Sequence, residues 1–227
     1  MRQSHIMIAL LISIFLFMAV AFAADPVAVI LRDRGKVDIF RKDVATSQDA
    51  RKGMVLYDGD KIVTSASSIC MIKYTDDKSL LRIKANSSCV IEGKKEADKV
   101  DKNIVVQFGT FFVDLFRPKG KFTVTTPTSV ASVKGTKWWV IQESPTKYIV
   151  VEGMIDCENK AGKFLVKAGQ TAIFTSDSEA PLIALTKEGE IPALEDEVGD
   201  RQSLEIEFKD ADGKTKKMII DYQKNEE

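Results

Sequence analysis

The amino-acid sequence predicts an all-β protein. From residue 27 to about residue 175, one short β-branched or aromatic segment follows another, and most alternate apolar with polar side chains. Glycine or an Asp/Asn cluster punctuates them, at Gly35, Asp58-Gly59-Asp60, Asp76-Asp77, Gly93, Gly109, Gly120, Gly153 and Gly162. No stretch of helical period follows the apolar N-terminus. Short strands at a spacing of roughly 8–12 residues fit a sandwich, a barrel or a β-solenoid. Glycines within or beside strands favour tight corners, as in a stacked β-coil.

The elements follow in order. Arg2 and His5 precede an apolar run, residues 6–22, interrupted only by Ser13. Ala21-Phe22-Ala23 places small residues where a signal peptidase reads, so residues 1–23 are expected to be a signal peptide cleaved before Ala24. A retained anchor is the alternative, because the run approaches the ~20 residues of a spanning helix. Asp25-Pro26 follows at once, without the basic flank of a stop-transfer segment, and no cysteine lies near the junction to be lipidated. The expected location is periplasmic or secreted, with membrane contact only through an uncleaved N-terminal segment.

Strands are expected at 27–31, 37–41, 62–63, 69–74, 80–84, 89–92, 104–108, 111–116, 122–125, 130–133, 137–142, 148–151, 155–158, 164–167 and 171–174. They make one β domain over residues 24–175. Residues 176–201 differ: Asp177, Glu179, Glu188, Glu190, Glu195, Asp196, Glu197 and Asp200 face only Lys187 and Arg201, and Pro181 and Pro192 rule out a long helix. The expectation there is an acidic linker or strap. Residues 202–223 read as a β-hairpin, with Leu204, Ile206 and Phe208 on one arm, a turn at Asp210-Ala211-Asp212-Gly213, and Met218, Ile220 and Tyr222 on the other. A lone hairpin is marginal in water, so it needs a surface on the domain or on a partner. Residues 224–227 are a tail.

Thirty-three basic residues balance thirty-three acidic ones, which leaves no electrostatic footprint for nucleic acid or anionic lipid. The sole histidine, His5, sits in the signal segment. The processed chain then lacks the imidazole that Ser-His and Cys-His nucleophiles and most zinc sites need. Cys70, Cys89 and Cys157 lack Cys-x-x-Cys spacing. No enzyme, catalytic residue, cofactor or metal is therefore expected. Strand alternation points all three cysteines inward, as core filler, and a Cys70–Cys89 disulfide is the alternative.

The most informative stretch is Phe122-Thr-Val-Thr-Thr126-Pro127, then Val133-Lys134-Gly135-Thr136 and Trp138-Trp139-Val140. Val151-Glu152-Gly153 and Ala168-Gly169-Gln170 follow it, and Tyr57-Asp58-Gly59-Asp60-Lys61-Ile62 precedes it. Physically, Gly59 permits a turn and the Asp60 side chain can bond the backbone amides nearby. Pro127 marks a strand end and holds Thr126 extended. These strings resemble the FecR domain, a bacterial extracytoplasmic β-domain. The resemblance implies structural roles for Gly59, Asp60, Thr126, Pro127, Gly135, Thr136, Glu152, Gly153 and Gly169, and it favours a solenoid-like, two-layered fold. One departure is Asp77-Lys78, where family members usually carry glycine.

The family's domain is a scaffold and signalling partner, so the resemblance implies an exported, non-enzymatic protein-interaction or envelope scaffold. The alternative is a sensor or regulatory component of a cell-surface signalling system related to TonB-dependent transport. Only five residues precede the apolar run, so no anti-sigma region is carried over. A protein partner is expected, with a glycan as the second class of ligand. Alternation along the strands puts Trp139, Phe112 and Phe116 opposite the core face. There they are either a candidate exposed aromatic patch or, as the hairpin's need for an apolar docking surface favours, covered by the acidic strap or the C-terminal hairpin.

Overall fold

β-Branched and aromatic residues at every second position bury one face of a strand and leave its backbone free to pair. The computed structural model describes residues 25–194 except 78, 97–98, 116–117 and 134, together with the strands at 201–209 and 215–223. The expected signal segment, Phe116 and the hairpin turn at 210–213 lie outside the described residues. Among the described residues, no helix is long and apolar enough to cross a membrane.

The chain winds back and forth between two layers. β1 (Ala28–Arg34) lies in the first, β2 (Val37–Phe40) and β3 (Ser47–Asp49) in the second, β4 (Val55–Leu56) in the first and β5 (Asp60–Thr64) in the second. β6 (Ile69–Tyr74) and β7 (Leu80–Ile83) return to the first layer, and β8 (Ser87–Glu96) to the second. β9 (Lys99–Asp114) serves both: its beginning pairs with β8 and its end with β7. β10 (Phe122–Thr125) and β11 (Val130–Val133) lie in the second layer, and β12 (Lys137–Gln142) and β13 (Thr146–Glu152) in the first. β14 (Met154–Asn159) and β15 (Gly162–Lys167) belong to the second, β16 (Gln170–Phe174) and β17 (Leu182–Leu185) to the first.

The first layer thus runs β4-β1-β6-β7-β9-β12-β13-β16-β17, and the second β3-β2-β5-β8-β9-β10-β11-β14-β15. Through β9 they form one open mixed sheet of 17 strands, not closed into a barrel. Neighbours are antiparallel except β9 and β10, which are parallel because the chain makes a full coil between them. This is the solenoid-like, two-layered architecture that the family resemblance implies.

Every crossing between layers carries a residue with positive φ: Gly35, Gly53, Gly59, Ser67, Asn86, Gly109, Gly120, Gly135, Gly153 and Gly169. Gly109 shows why. It sits where β9 bends from one layer into the other, and a Cβ there would lie 2.1 Å from Ser87 Oγ. That hydroxyl instead accepts the Thr110 amide at 3.1 Å. The sequence reading took Gly109 as a break between strands 104–108 and 111–116; it is a bend inside one strand.

Between the layers lies one apolar core. The first layer contributes Ile30, Ile72, Leu81, Phe111, Trp138, Tyr148 and Phe174, and the second Ile39, Ile62, Ile104, Phe122, Val124 and Ile155. Each such side chain contributes about 1.5–3 kcal/mol on burial. Aromatic edges join the layers and the coils: Tyr74 meets Phe122 with ring centroids 5.6 Å apart, and Tyr148 lies 5.4 Å from Trp138 and 5.5 Å from Phe174. Cys70, Cys89 and Cys157 are free, buried thiols in this core, so Cys70 and Cys89 form no disulfide.

β3, β4 and β17 were not anticipated. The first two are short, and β3 is polar (Ser47-Gln48-Asp49). Leu182–Leu185 was hidden by acidic and proline-bearing flanks, yet it extends the first layer beyond residue 175 by pairing with β16. Residues 187–227 form a separate unit. Within it, β18 (Arg201–Lys209) and β19 (Thr215–Gln223) pair antiparallel from Arg201↔Gln223 to Lys209↔Thr215.

Candidate functional site

The motif residues sit at the corners of the coil. Gly153 has φ +80°, and a Cβ on it would lie 2.8 Å from the Gly135 carbonyl oxygen and 3.1 Å from Thr136 Oγ1. The two corners therefore nest against each other, and Thr136 Oγ1 donates to the Met154 carbonyl at 3.0 Å. The next corner joins them: Ala168 N donates to Gly153 O and Gly169 N to Val150 O, both at 2.9 Å. Glu152 accepts from Lys137 Nζ at 3.1 Å, and this hydrogen bond raises the lysine's pKa.

Thr126 and Pro127 make the β10–β11 turn. Thr126 Oγ1 donates to the Ser129 carbonyl at 2.9 Å and lies 3.2 Å from Tyr148 Oη, which is 2.8 Å from Ser129 Oγ. The turn is thereby tied to a core aromatic. Burial pushes the Tyr148 hydroxyl pKa up, although the bonds from Ser129 and Thr126 oppose the shift. Asp60, almost fully buried, accepts the Tyr57 amide at 2.8 Å and pairs with the Arg41 guanidinium. Gly59 N donates to Ile91 O at 2.8 Å. All of these residues spend their hydrogen bonds on the fold itself.

The candidate aromatic patch is not exposed at Trp139 and Phe112. Trp139 is 1% and Phe112 3% accessible. They are register partners on β12 and β9 with ring centroids 4.8 Å apart, and Ile149 of β13 continues the row. Arg82 lies 5.5 Å over the Phe112 ring and Lys84 5.8 Å over Trp139. Alternation put these rings on the correct face, away from the central core, but not their burial. Phe116, the third member, lies outside the described residues.

Exposed apolar side chains gather instead at the end of the coil. On the edge strand β17, Leu182 and Leu185 are 66% and 77% accessible, and Leu165 on β15 and Met154 on β14 are also exposed. A cavity of about 750 Å³ lies nearby on the second layer, lined by Lys121, Ser132, Met154 and Asp156 beside Gly135 and Gly153.

One polar cluster was missed by the sequence reading. Lys102 occupies an inward slot of β9 between Val100 and Ile104, and its side chain is fully buried. Its ammonium donates to Asp76 Oδ2 and Asp77 Oδ2, each at 2.7 Å, and to the Lys119 carbonyl at 2.9 Å. The signal was present: a lysine stands where the period-2 pattern demands an apolar residue. The cluster also accounts for Asp77 at a position where glycine was expected. Asp77 Oδ1 accepts the Ser79 amide at 2.7 Å, closing the turn, while its other oxygen holds the lysine. Burial raises the Asp77 pKa, but hydrogen bonds from Lys102 and Ser79 outweigh it, and the net shift is downward. Among the described residues, no group of three or more His, Cys, Asp or Glu is placed to hold a metal ion.

Compared with known families, residues 60–156 match FecR protein. The match covers less than half of the chain. The matched stretch starts at Asp60 and ends within β14, so it takes in the corners at Thr126, Gly135 and Gly153. Two crystal structures of a candidate anti-sigma factor from Parabacteroides distasonis ATCC 8503 are similar to the chain, each with 14% identity and a TM-score of 0.48. The likeness covers 56% of this chain and 60% of that protein, less than two thirds of its length. No curated protein sequence matches. The FecR match supports a regulatory or signalling role.

Proposed function

We propose that the protein is an exported, non-catalytic binding module of a FecR-type regulatory or signalling system, and that it takes its partner by strand addition at β17. The observation that carries this reading is the contrast within the FecR-containing unit. Its motif residues are consumed in corners, whereas Leu182 and Leu185 stand exposed on an edge. Thr186 N donates to Gly169 O, which continues the β16–β17 ladder and turns the backbone groups of residues 182, 184 and 186 toward β16. By the parity of an antiparallel ladder, those of Ile183 and Leu185 face away, with no partner among the described residues. An edge of this kind is a template for an extended peptide. The opposite end is blunted: β3 is Ser-Gln-Asp and β4 has two residues.

Export to the periplasm or beyond is supported by the apolar run at 6–22 and Ala21-Phe22-Ala23. Affinity capture with the full chain tests the reading, comparing wild type with Ile183→Pro, which removes an outward N–H without breaking a β16 bond. Capture of a sigma-regulatory or transporter component by wild type, lost in the variant, is the expected result. Equal capture by both overturns the edge as the site. Capture of envelope structural proteins alone supports a scaffold role instead.

A further inference from the structure

The Lys102 cluster has the composition and placement of a self-reacting site. A primary amine and two carboxyl groups meet in a dry pocket: the side chains of Lys102, Asp76 and Asp77 are 0%, 7% and 4% accessible. The two carboxyl groups are held differently. Asp77 accepts the amides of Ser79 and Lys119 besides the lysine, so it is well provided as a carboxylate. Asp76 accepts Val100 N and Lys102 Nζ on Oδ2 alone, and its Oδ1 is buried with no partner. An unsolvated carboxylate oxygen is costly, so a reaction that removes it relieves that cost. The hydroxyls of Tyr74 and Ser79 are also buried without partners, and the Tyr74 ring lies 5.5 Å from the ammonium.

We propose that Lys102 and Asp76 condense into an intramolecular amide bond, with Asp77 as the proton acceptor. Asp77 takes a proton from the Lys102 ammonium, and the freed amine attacks the Asp76 carboxyl carbon. The new C–N bond forms and a C–O bond breaks. The departing Asp76 oxygen leaves as water with two of the ammonium's three hydrogens, one returned through Asp77 and one lost from the attacking nitrogen. The third stays on the amide nitrogen. Ammonium plus carboxylate becomes amide plus water, with no oxidant or reductant. Two effects favour the step: fixed contact between the groups, equivalent to effective concentrations on the order of 10⁵–10⁸ M, and removal of a buried ion pair. The product ties the β6–β7 turn of the first layer to β9 of the second, a covalent staple in a domain whose cysteines are free.

Mass spectrometry of the folded, purified full chain, intact and after trypsin, decides the matter. The expected wild-type protein is lighter than its sequence by one water and yields a joined pair, the peptide beginning at Tyr74 linked to one running through an uncut Lys102. Lys102→Arg is expected at full mass. Asp77→Asn, which keeps the turn but cannot accept the proton, is expected to lose the joined pair. A wild-type protein at full mass, with trypsin cleaving after Lys102, overturns the proposal. Linkage to Asp77 in place of Asp76, or undiminished linkage in Asp77→Asn, overturns the roles assigned to the two acids.

Discussion

Burial decides the chemistry of single residues in this domain. Cys70 has its pKa pushed up to about 12 by burial, with Asp33 adding to the effect, and Cys157 likewise to about 12 by burial and then Asp156. Burial also raises Cys89 beyond the usual thiol range. A folded-state pKa above the unfolded value of ~8.5 contributes stability that is complete below that pH and is lost as pH rises toward 12. Thiol alkylation at pH 8.5, followed by mass spectrometry, is therefore expected to leave the native protein unlabelled and to modify all three cysteines in denaturant. Rapid native labelling at Cys70 contradicts the burial. Inward placement of these cysteines was legible from alternation alone. The depth of Trp139 was not, because alternation assigns a face without saying what lies over it. Lys102 was legible only as an anomaly, a charge in an apolar slot, since its two acidic partners are more than 20 residues away in sequence.

Among the elements, strands with full period-2 patterning were read to the residue: Ile69–Tyr74, Phe122–Thr125, Val130–Val133 and Lys137–Gln142. The two-residue β4 and polar β3 carry no such pattern, and pairing with a neighbour alone makes them strands. Corners are harder still, because a glycine marks a turn without saying whether the chain changes layer there. Their energetics separate two cases. Gly169 has φ +76° and open space around its absent Cβ, so Gly169→Ala is expected to cost only the left-handed backbone strain, about 1–2 kcal/mol. Gly153 has the same strain plus the Gly135 carbonyl at 2.8 Å, so Gly153→Ala is expected to cost more by at least about 1 kcal/mol. Urea unfolding midpoints of the two variants check the order. Equal losses refute the nested corners.

For the whole molecule, strand density predicted an all-β chain but left sandwich, barrel and coil unresolved, since all three share the same local signals. The layering depends on pairings such as β1 with β6 and β9 with β12, which no window of sequence contains. Such non-local contacts make closure slow. Stopped-flow fluorescence of the buried Trp138 and Trp139 is expected to show refolding on the order of milliseconds to seconds. A microsecond phase with full amplitude contradicts this topology. The alternating path also governs how such a domain can lengthen. Both layers finish together, in β15 and β17, and the chain enters that end last. One more lap of polypeptide inserted there adds a rung to each layer while every earlier rung keeps its neighbours, so size can change in whole laps at the C-terminal end without redesign of the interior.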